Sequence, residues 1–254
     1  MESKRLIVGL QMYEGKLIKT NSFKKDNATY LGDVLNAVKI FNEKEVDELI
    51  LFDLTASKTK KINFELLSKI SSVSRMPLSY GGGIDSLDKS TRLLSLGIEK
   101  LNFNNLFFSD LNRLKEISNY VGRQSIVLSL DYKLLNDNIY FYYNGGTKKS
   151  NLTIDHISNV DIQNIFGEIY LNDIDNDGGM KGYNSQVLLD KIYNKFNMPL
   201  TISGGFNSLD NVKKIFSKYK IIGICCSSLF VFKGKNKAVL LSYPNKKDLK
   251  ILKQ

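Results

Sequence analysis

PLSYGGGIDSLD, from Pro77 to Asp88, and PLTISGGFNSLD, from Pro199 to Asp210, are near-copies of each other half a chain apart. Each copy predicts a short buried strand, a glycine turn and a helix start, with Asp85 or Asn207 as the helix cap. A repeat with this spacing predicts a two-fold structure. Because glycines between a strand and a helix leave backbone N–H groups uncovered at the positive end of the helix dipole, each copy also predicts a phosphate-binding turn.

Strand-like and helix-like segments alternate along the whole chain of 254 residues. The predicted strands are 6–10, 48–54, 78–80, 100–103, 125–131, 168–173, 200–203 and 221–225. The predicted helices are 32–44, 63–73, 87–96, 111–120, 154–165, 185–195, 209–218 and 246–252. Eight strands that are each followed by a helix favour a closed (β/α)8 barrel, the TIM barrel of the α/β class, over an open sheet. We expect one such domain over residues 1–254, with a β-hairpin at 136–146.

The charge and cysteine content limit the class of protein. The net charge is +10, but the lysines are scattered along helices and indicate solvated faces, so we do not expect a nucleic-acid partner. A basic field would still attract phosphorylated or nucleotide-linked substrates. Cys225 and Cys226 are neighbours in an apolar run, which disfavours a disulfide and favours a reducing, cytoplasmic setting. No run is long enough for a membrane span, and no signal peptide is recognisable.

Acidic residues that end predicted strands are the first candidates for catalysis, because a barrel presents its active site at the carboxyl ends of its strands. They are Asp53, Asp131, Asp173, Asp175 and Asp177. The Asp173–Asp177 stretch superficially suggests calcium, but it lacks a suitably placed Glu at the twelfth position. The chain also has no Cys/His cluster for zinc, so we expect neither a metal nor a cofactor.

Six segments carry a resemblance to a known family. They are KRLIVGL, DELILFDLTASK, YGGGID, LDYK, GEIYLNDIDNDGGMKGY and SGGF. With these six segments in this order, the chain resembles HisF, the cyclase subunit of imidazole glycerol phosphate synthase. The resemblance covers essentially the whole length of the chain. The resemblance implies a TIM barrel with an internally duplicated half-barrel. It also implies a HisH-like glutaminase partner at the N-terminal face, from which ammonia crosses the barrel to a substrate with two phosphates.

The resemblance assigns two phosphate sites. The first candidate phosphate site comprises Gly83, Asn104 and Asn105, and the second candidate phosphate site comprises Asp177, Gly178, Gly205, Ser227 and Ser228. Backbone amides of tight turns and small polar side chains suit phosphate oxygens. The alternative is that the glycines only end strands and that the serines and asparagines only cap helices.

The resemblance also assigns an ammonia gate at the barrel floor to four residues, which we call the charged ring: Arg5, Glu48, Lys100 and Glu168. Each lies at the start of a predicted strand, and the set holds two positive and two negative charges. Paired with one another, the four side chains could close the floor without an uncompensated buried charge. The alternative is four ordinary strand-start charges that face solvent.

The chain departs from the family at one of its two catalytic aspartates. Asp131 matches the aspartate that ends the fifth strand, but Gln11 stands where an aspartate ends the first. An amide cannot exchange a proton at neutral pH, so half of the acid–base pair is replaced. Asp175 or Asp177 could substitute for it, and Lys19, which matches the family, could clamp an anionic substrate.

Two further segments, IKTNSFKKDNATYLGD (18–33) and AVKIFNEKEVDELILFDLTASK (37–58), resemble the WbuZ-type branch of glycosyl amidation-associated proteins. That resemblance implies a barrel that supplies ammonia to an ATP-using sugar amidotransferase, which amidates a nucleotide-linked sugar for surface polysaccharide. We take this role as the first expectation. The alternatives are a cyclase (a lyase) of histidine biosynthesis and a non-catalytic scaffold that conducts ammonia.

Overall fold

The computed structural model describes residues 4–136, 138–183, 186–193, 195–196 and 198–253. The strands are β1 (Arg5–Tyr13), β2 (Lys16–Asn21), β3 (Lys24–Asp33), β4 (Glu48–Asp53), β5 (Leu78–Gly81), β6 (Lys100–Phe103), β7 (Ile126–Leu135), β8 (Asn138–Tyr143), β9 (Lys148–Lys149), β10 (Glu168–Asp173), β11 (Leu200–Ser203), β12 (Gly223–Cys226), β13 (Phe232–Lys233) and β14 (Ala238–Val239). The helices are α1 (Val34–Glu43), α2 (Leu54–Thr59), α3 (Phe64–Val73), α4 (Leu87–Ser95), α5 (Asn105–Ser109), α6 (Leu111–Val121), α7 (Ile154–Asn159), α8 (Gln186–Tyr193), α9 (Leu209–Lys218), α10 (Ser228–Val231) and α11 (Lys246–Lys253).

Eight parallel strands close into a barrel. Around the ring the order is β1, β4, β5, β6, β7, β10, β11 and β12, and β12 pairs with β1 to complete the circle. Helices lie between the strands along the chain, so the predicted (β/α)8 barrel is confirmed. Strands four places apart in this ring face each other, so β1 lies opposite β7, β4 opposite β10 and β5 opposite β11.

The two repeated glycine turns occupy equivalent places after β5 and β11. Gly82 and Gly204 both have positive φ, at 135° and 106°. A side chain at Gly82 would collide with the backbone of Asp53, and a Cβ at Gly204 would lie 2.7 Å from the carbonyl oxygen of Asp173. In each half of the barrel, the glycine turn therefore packs against the aspartate that ends the preceding barrel strand, Asp53 on β4 and Asp173 on β10.

The predicted helix caps are wrong by one residue. Ser86 caps α4 and Ser208 caps α9, each with a side chain that accepts a hydrogen bond from a backbone N–H three residues later. Both serines have the extended backbone that a cap requires. The predicted cap Asp85 instead forms an ion pair with Lys89.

Alternate residues of each barrel strand face two different environments. On β1, Leu6, Val8 and Leu10 belong to the large core between the sheet and the helices. Ile7 faces the barrel interior, where a separate apolar cluster forms. The members of this interior cluster are Ile7, Ile50, Val127, Tyr170 and Cys225, with Phe52 packed against them.

The antiparallel hairpin β2–β3 after β1 was not predicted. Its sequence is rich in lysine and asparagine and lacks a clear apolar alternation, but β2 gains a partner by pairing with β1. The predicted hairpin at 136–146 is confirmed by the pairing of β7 with β8, although residue 137 lies outside the described residues.

Helix ends also differ from prediction. The predicted helix 154–165 ends at Asn159, because the backbone of Val160 is extended. A 3-10 turn, Ile162–Asn164, follows. The predicted helix 185–195 corresponds to α8, and residues 185 and 194 are outside the described part. The last strand begins at Gly223, two residues later than predicted. Within the described ranges, no helix is long and apolar enough to cross a membrane.

Candidate functional site

A cavity of about 670 Å³ opens at the carboxyl ends of the barrel strands. Its lining includes the three predicted catalytic residues, Gln11, Lys19 and Asp131, and the whole first candidate phosphate site, Gly83, Asn104 and Asn105. A smaller pocket of about 20 Å³ adjoins it and is lined by the second candidate phosphate site, Asp177, Gly178, Gly205, Ser227 and Ser228. The fold thus brings the predicted catalytic residues and both candidate phosphate sites together at the mouth of the barrel, whereas Asp53, Asp173 and Asp175 do not line either pocket.

Asp131 lies on β7 between two amide side chains. The Nδ2 of Asn172 donates to one carboxylate oxygen at 3.3 Å, and the Nδ2 of Asn104 donates to the other at 3.4 Å. Burial raises the pKa of Asp131 to about 7, the charge of Asp177 adds to this, and the hydrogen bond from Asn172 opposes it. A carboxyl group with this pKa can exchange a proton near neutral pH, as a general acid or base must.

Gln11 lies on β1, on the opposite side of the mouth, and its amide is fixed by hydrogen bonds. Its Oε1 accepts from the backbone N–H of Thr20 at 2.8 Å and from the hydroxyl of Thr20 at 2.9 Å. Its Nε2 therefore points towards Asp177, whose Oδ2 is 3.5 Å away. The side chain is buried and presents a hydrogen-bond donor at the position where the resemblance implies a carboxylate.

Lys19 and Asp177 form a buried ion pair. The ammonium of Lys19 lies 2.8 and 2.9 Å from the two oxygens of Asp177. The backbone N–H of Asp177 donates to Ile174, and its carbonyl accepts from Ser22. Since its carboxylate and N–H are both engaged, Asp177 is the member of the second candidate phosphate site least suited to bind an anion, and the charge of Lys19 is already balanced.

Asp175, the other proposed substitute acid, lies outside the cavity. Its side chain is about half exposed and forms an ion pair with Lys133 at 3.5 Å. Asp175 therefore has no access to a reaction at the barrel mouth. Two carboxylates line the cavity, Asp131 and Asp177. Asp177 is paired with Lys19, whereas Asp131 has no cationic partner among the described residues.

The second candidate phosphate site holds two buried hydroxyls that lack partners. The Oγ atoms of Ser227 and Ser228 are buried and form no hydrogen bond with the described residues. Gly178 has a φ of 77°, and a Cβ there would lie 2.6 Å from the carbonyl oxygen of Thr20. Leaving a buried hydroxyl unpaired costs about 1–3 kcal/mol. A compact acceptor such as a phosphate group in this pocket would satisfy both hydroxyls.

The first candidate phosphate site is wider, and its amides are already engaged. The Nδ2 of Asn104 donates to the carbonyl oxygen of Ser129 at 3.0 Å, and the Oδ1 of Asn105 accepts from the N–H of Asn144 at 2.6 Å. Lys58 and Lys60 also line this side of the cavity, which sequence reasoning did not foresee. Positive charge near the wall would favour a phosphate there.

The charged ring is assembled at the other end of the barrel. Arg5 forms ion pairs with Glu48 and, at 2.8 Å, with Glu168. Lys100 lies 2.7 Å from Glu168 and 3.7 Å from Glu48. The four strand-start charges therefore pair across the floor of the barrel instead of facing solvent separately.

Each acid of the charged ring also accepts a neutral hydrogen bond, from Ser79 to Glu48 and from Thr201 to Glu168. Burial alone would raise the pKa of Glu168, but Arg5 and Lys100 outweigh it and lower that pKa. Burial would likewise lower the pKa of Arg5, but the two glutamates raise it. Arg5 and Glu168 are therefore both held in their charged forms.

The sequence did not suggest two residues of the site. Asn172 donates to Asp131, and Thr20 donates to Gln11. Both residues are neutral, so neither stands out among the acidic strand ends. The signal for Asn172 was its place on β10, two residues beyond Tyr170 and four beyond Glu168, so that all three face the barrel interior. Among the described residues, no group of three or more His, Cys, Asp or Glu side chains is placed to hold a metal ion.

Comparison with known proteins gives a consistent result. The family described as histidine biosynthesis protein matches residues 5–236. A protein of Leptospira borgpetersenii, provisionally named imidazole glycerol phosphate synthase subunit HisF, is 41% identical over 251 residues, which cover 98% of this chain and 98% of that protein. A protein of Vibrio vulnificus (strain YJ016), provisionally named subunit hisF3 of the same synthase, is 42% identical over 250 residues, with 97% and 95% covered. The imidazole glycerol phosphate synthase subunit HisF of Natranaerobius thermophilus is 28% identical over 253 residues, with 99% of each chain covered.

Proposed function

The chain belongs to the histidine biosynthesis protein family, and we propose that it acts as the HisF-type subunit of an imidazole glycerol phosphate synthase, a lyase that uses ammonia. The observation that carries this proposal is Asp131, held between two amide donors in a cavity that reaches both candidate phosphate sites. The names of the relatives favour this function over sugar amidation, the first expectation from the sequence.

The substrate carries two phosphates, and one binds at each candidate phosphate site. The unpaired hydroxyls of Ser227 and Ser228 donate to one phosphate, and the glycine turn at Gly205 keeps the pocket narrow. The other phosphate occupies the wider side of the cavity, near Gly83 and Lys58. The two glycine turns follow opposite strands of the barrel, so a substrate anchored at both extends across the mouth and over Asp131.

Ammonia enters from a glutaminase subunit docked at the floor of the barrel. The charged ring closes this floor with paired side chains, of which Arg5 and Lys100 retain the larger exposed fractions, 17% and 23%. These two cations are the members that a docked partner would reach. Because ammonia is neutral, it can pass between paired charges without the desolvation cost that an ion would incur.

Asp131 performs the proton transfers of the reaction. Its carboxylate accepts a proton from the attacking nitrogen and, once protonated, returns it to the group that leaves. Gln11 does not exchange protons and instead donates a hydrogen bond at the opposite wall. Lys19 and Asp177 remain paired and fix strand β2 against the mouth.

Product formation tests this proposal. The purified chain is supplied with ammonium salt and the two-phosphate substrate of imidazole glycerol phosphate synthase, and imidazole glycerol phosphate is measured. We expect turnover by the native chain, a loss in Asp131→Asn, and little change in the Gln11→Asn control, which keeps an amide. No product from the native chain, with product from Gln11→Asp, would refute the proposal.

Sugar amidation remains a second candidate, and the observation that favours it is Gln11. An amide in place of an acid suits a barrel that has lost ring closure and that delivers ammonia for a nucleotide-linked sugar, as in the WbuZ-type branch. Its test combines the chain with a glutaminase, an ATP-dependent sugar amidotransferase and an acetamido sugar nucleotide. Amidation in the absence of any imidazole glycerol phosphate formation favours this candidate. If amidation also persists unchanged in Asp131→Asn, the barrel serves only as scaffold and ammonia conduit.

A further inference from the structure

Two aromatic rings meet inside the barrel. Phe52 lies on β4 and Tyr170 on β10, and these strands face each other across the ring of eight. The ring centroids are 5.6 Å apart with an interplanar angle of 48°. Side chains from opposite strands can make this contact only at the barrel axis.

Glycines on the neighbouring strands make room for Phe52. A Cβ at Gly9 on β1 would lie 3.6 Å from the Cε2 of Phe52, and a Cβ at Gly81 on β5 would lie 3.4 Å from its Cδ1. The ring of Phe52 therefore rests over the bare backbone on both sides of its own strand. Larger residues at the two positions would compete with the ring for this space.

Tyr170 is held from the other side. Its side chain is buried, and its hydroxyl lies beside the side chains of Ser203 and Cys225. Burial, with the nearby Cys225, raises the pKa of Tyr170 well above its usual value, so the hydroxyl stays neutral. The ring is thus enclosed at its tip and packed at a tilt against Phe52.

The pair lies between the two functional ends of the barrel. Along β10 the interior residues are Glu168 of the charged ring, then Tyr170, then Asn172 of the cavity. Along β4 they are Glu48 of the charged ring, then Ile50, then Phe52. Both aromatic residues line the mouth cavity, whereas no residue of the charged ring does. The cavity therefore ends at the aromatic pair.

We propose that Phe52 and Tyr170 form a second constriction, above the charged ring, that determines what passes through the barrel. One of the two rings must move before a molecule crosses, and the apolar surroundings admit a small neutral molecule and reject ions. That the molecule is ammonia rests on the proposed function. That the pair closes the interior rests on its geometry alone.

The transport test uses the chain in complex with a glutaminase. Product formation is measured with glutamine and then with ammonium salt. For each variant the glutamine-dependent rate is divided by the ammonium-dependent rate, so that effects of the substitution on the reaction at the mouth cancel. We expect Phe52→Trp to lower this ratio at least tenfold and Tyr170→Leu to raise it several-fold. The matched variant Tyr170→Phe keeps the ring and should change the ratio less than Tyr170→Leu. A ratio that stays the same in Phe52→Trp and Tyr170→Leu overturns the proposal.

A second measurement needs no enzymatic activity. Cys225 lies against Tyr170 and is 2% exposed, and the adjacent Cys226 faces the core between the sheet and the helices. The reaction of both thiols with methyl methanethiosulfonate is followed by mass spectrometry. We expect Tyr170→Leu to speed labelling of Cys225 at least tenfold relative to Cys226. Equal labelling of Cys225 in the native and variant chains overturns the constriction, while a chain that makes no product from either nitrogen source refutes only the proposed function.

Discussion

The half of the barrel built on β1, β4, β5 and β6 and the half built on β7, β10, β11 and β12 share a frame but carry different polar groups. Each half has a glycine turn packed against the carboxylate position that ends the preceding barrel strand, and each has a serine helix cap after that turn. The helix starts after β6 and β12 also match, since Asn104 and Ser227 have nearly the same φ and ψ. The two halves therefore share their glycine turns, their serine helix caps and the backbone conformation at these helix starts.

The mouth groups differ between the halves. Gln11 faces Asp131 across the barrel, so at this pair of positions the second half supplies a group with a pKa of about 7 and the first half supplies an amide. The amides of the first candidate phosphate site are engaged in protein hydrogen bonds, whereas the hydroxyls of Ser227 and Ser228 have no partner in the described residues. On the proposed function, the second half holds the reacting group and a narrow anion pocket, and the first half provides a wider wall.

The largest expected effect is on turnover. Asp131→Asn should lower the rate of product formation by about 10² or more, because proton transfer by a positioned group contributes about 10²–10⁴-fold. Gln11→Asn, the matched change in the other half, should alter the rate less than about fivefold. Steady-state assays with ammonium salt measure both. Equal losses in the two variants would show that the halves contribute alike.

A thermal denaturation series is the control for Asp131→Asn. The folded protein raises the pKa of Asp131 to about 7 by burial, so it binds this proton more tightly than the unfolded chain does. Stability is therefore lost as pH rises from about 4, the unfolded value, through the folded value. The variant lacks this loss and should be at least as stable as the native chain above pH 7, so unfolding cannot explain its inactivity.

The next effect is on affinity. Ser227→Ala and Ser228→Ala should each weaken binding of the two-phosphate substrate by about ten- to a hundredfold, since a hydrogen bond to a charged group contributes about 1.5–3 kcal/mol. Asn105→Ala in the first half should weaken it less, because Lys58 and Lys60 line the same wall and still attract the phosphate. Isothermal titration measures each dissociation constant. A larger loss in Asn105→Ala would reverse the proposed roles of the two sites.

A smaller effect is expected on stability. Ser228→Ala removes a buried hydroxyl that has no partner among the described residues, so the free energy of unfolding without substrate should stay level or rise. The matched control is Ser118→Ala, which removes a buried hydroxyl that donates to Ile165 at 2.6 Å and should cost about 1 kcal/mol. Urea unfolding measures both. A loss in Ser228→Ala as large as in the control would mean that its hydroxyl is satisfied within the protein.

The smallest expected effect is on pH dependence. If Asp131 acts as the base, the rate rises with pH through a midpoint near 7. Asn172→Leu removes a hydrogen bond that lowers this pKa, so the midpoint should move up by about half a unit. Asp177→Asn removes a negative charge that raises it, so the midpoint should move down. Rate profiles from pH 5 to 9 measure the shifts. An unchanged midpoint in both variants would mean that the pH dependence of the rate does not arise from Asp131.

The sequence predicted the frame because the frame depends on short-range patterns. Alternating strands and helices, two glycine turns and four strand-start charges are readable from residue types and spacing, and the barrel is confirmed. The helix caps were placed one residue early because Asp85 and Ser86 are both good capping residues, and only the backbone conformation decides between them.

The polar partners at the mouth could not be predicted, because they depend on contacts between distant segments. The ion pair of Lys19 with Asp177 and the hydrogen bonds of Gln11 with Thr20 involve the β2–β3 hairpin, which has no strong strand pattern. Without that hairpin, Asp177 seemed free to replace the missing acid. The contact of Phe52 with Tyr170 depends in turn on which strands face each other across the closed barrel.

The origin of the nitrogen in the product tests the whole account most directly. The chain is mixed with a glutaminase subunit of imidazole glycerol phosphate synthase, the two-phosphate substrate, glutamine labelled with ¹⁵N at its side-chain amide and unlabelled ammonium at neutral pH. We predict imidazole glycerol phosphate that carries predominantly ¹⁵N, because ammonia crosses the barrel and reacts beside Asp131 before it mixes with solvent. Product labelled only in proportion to the free ammonium, or no product at all, would contradict the account.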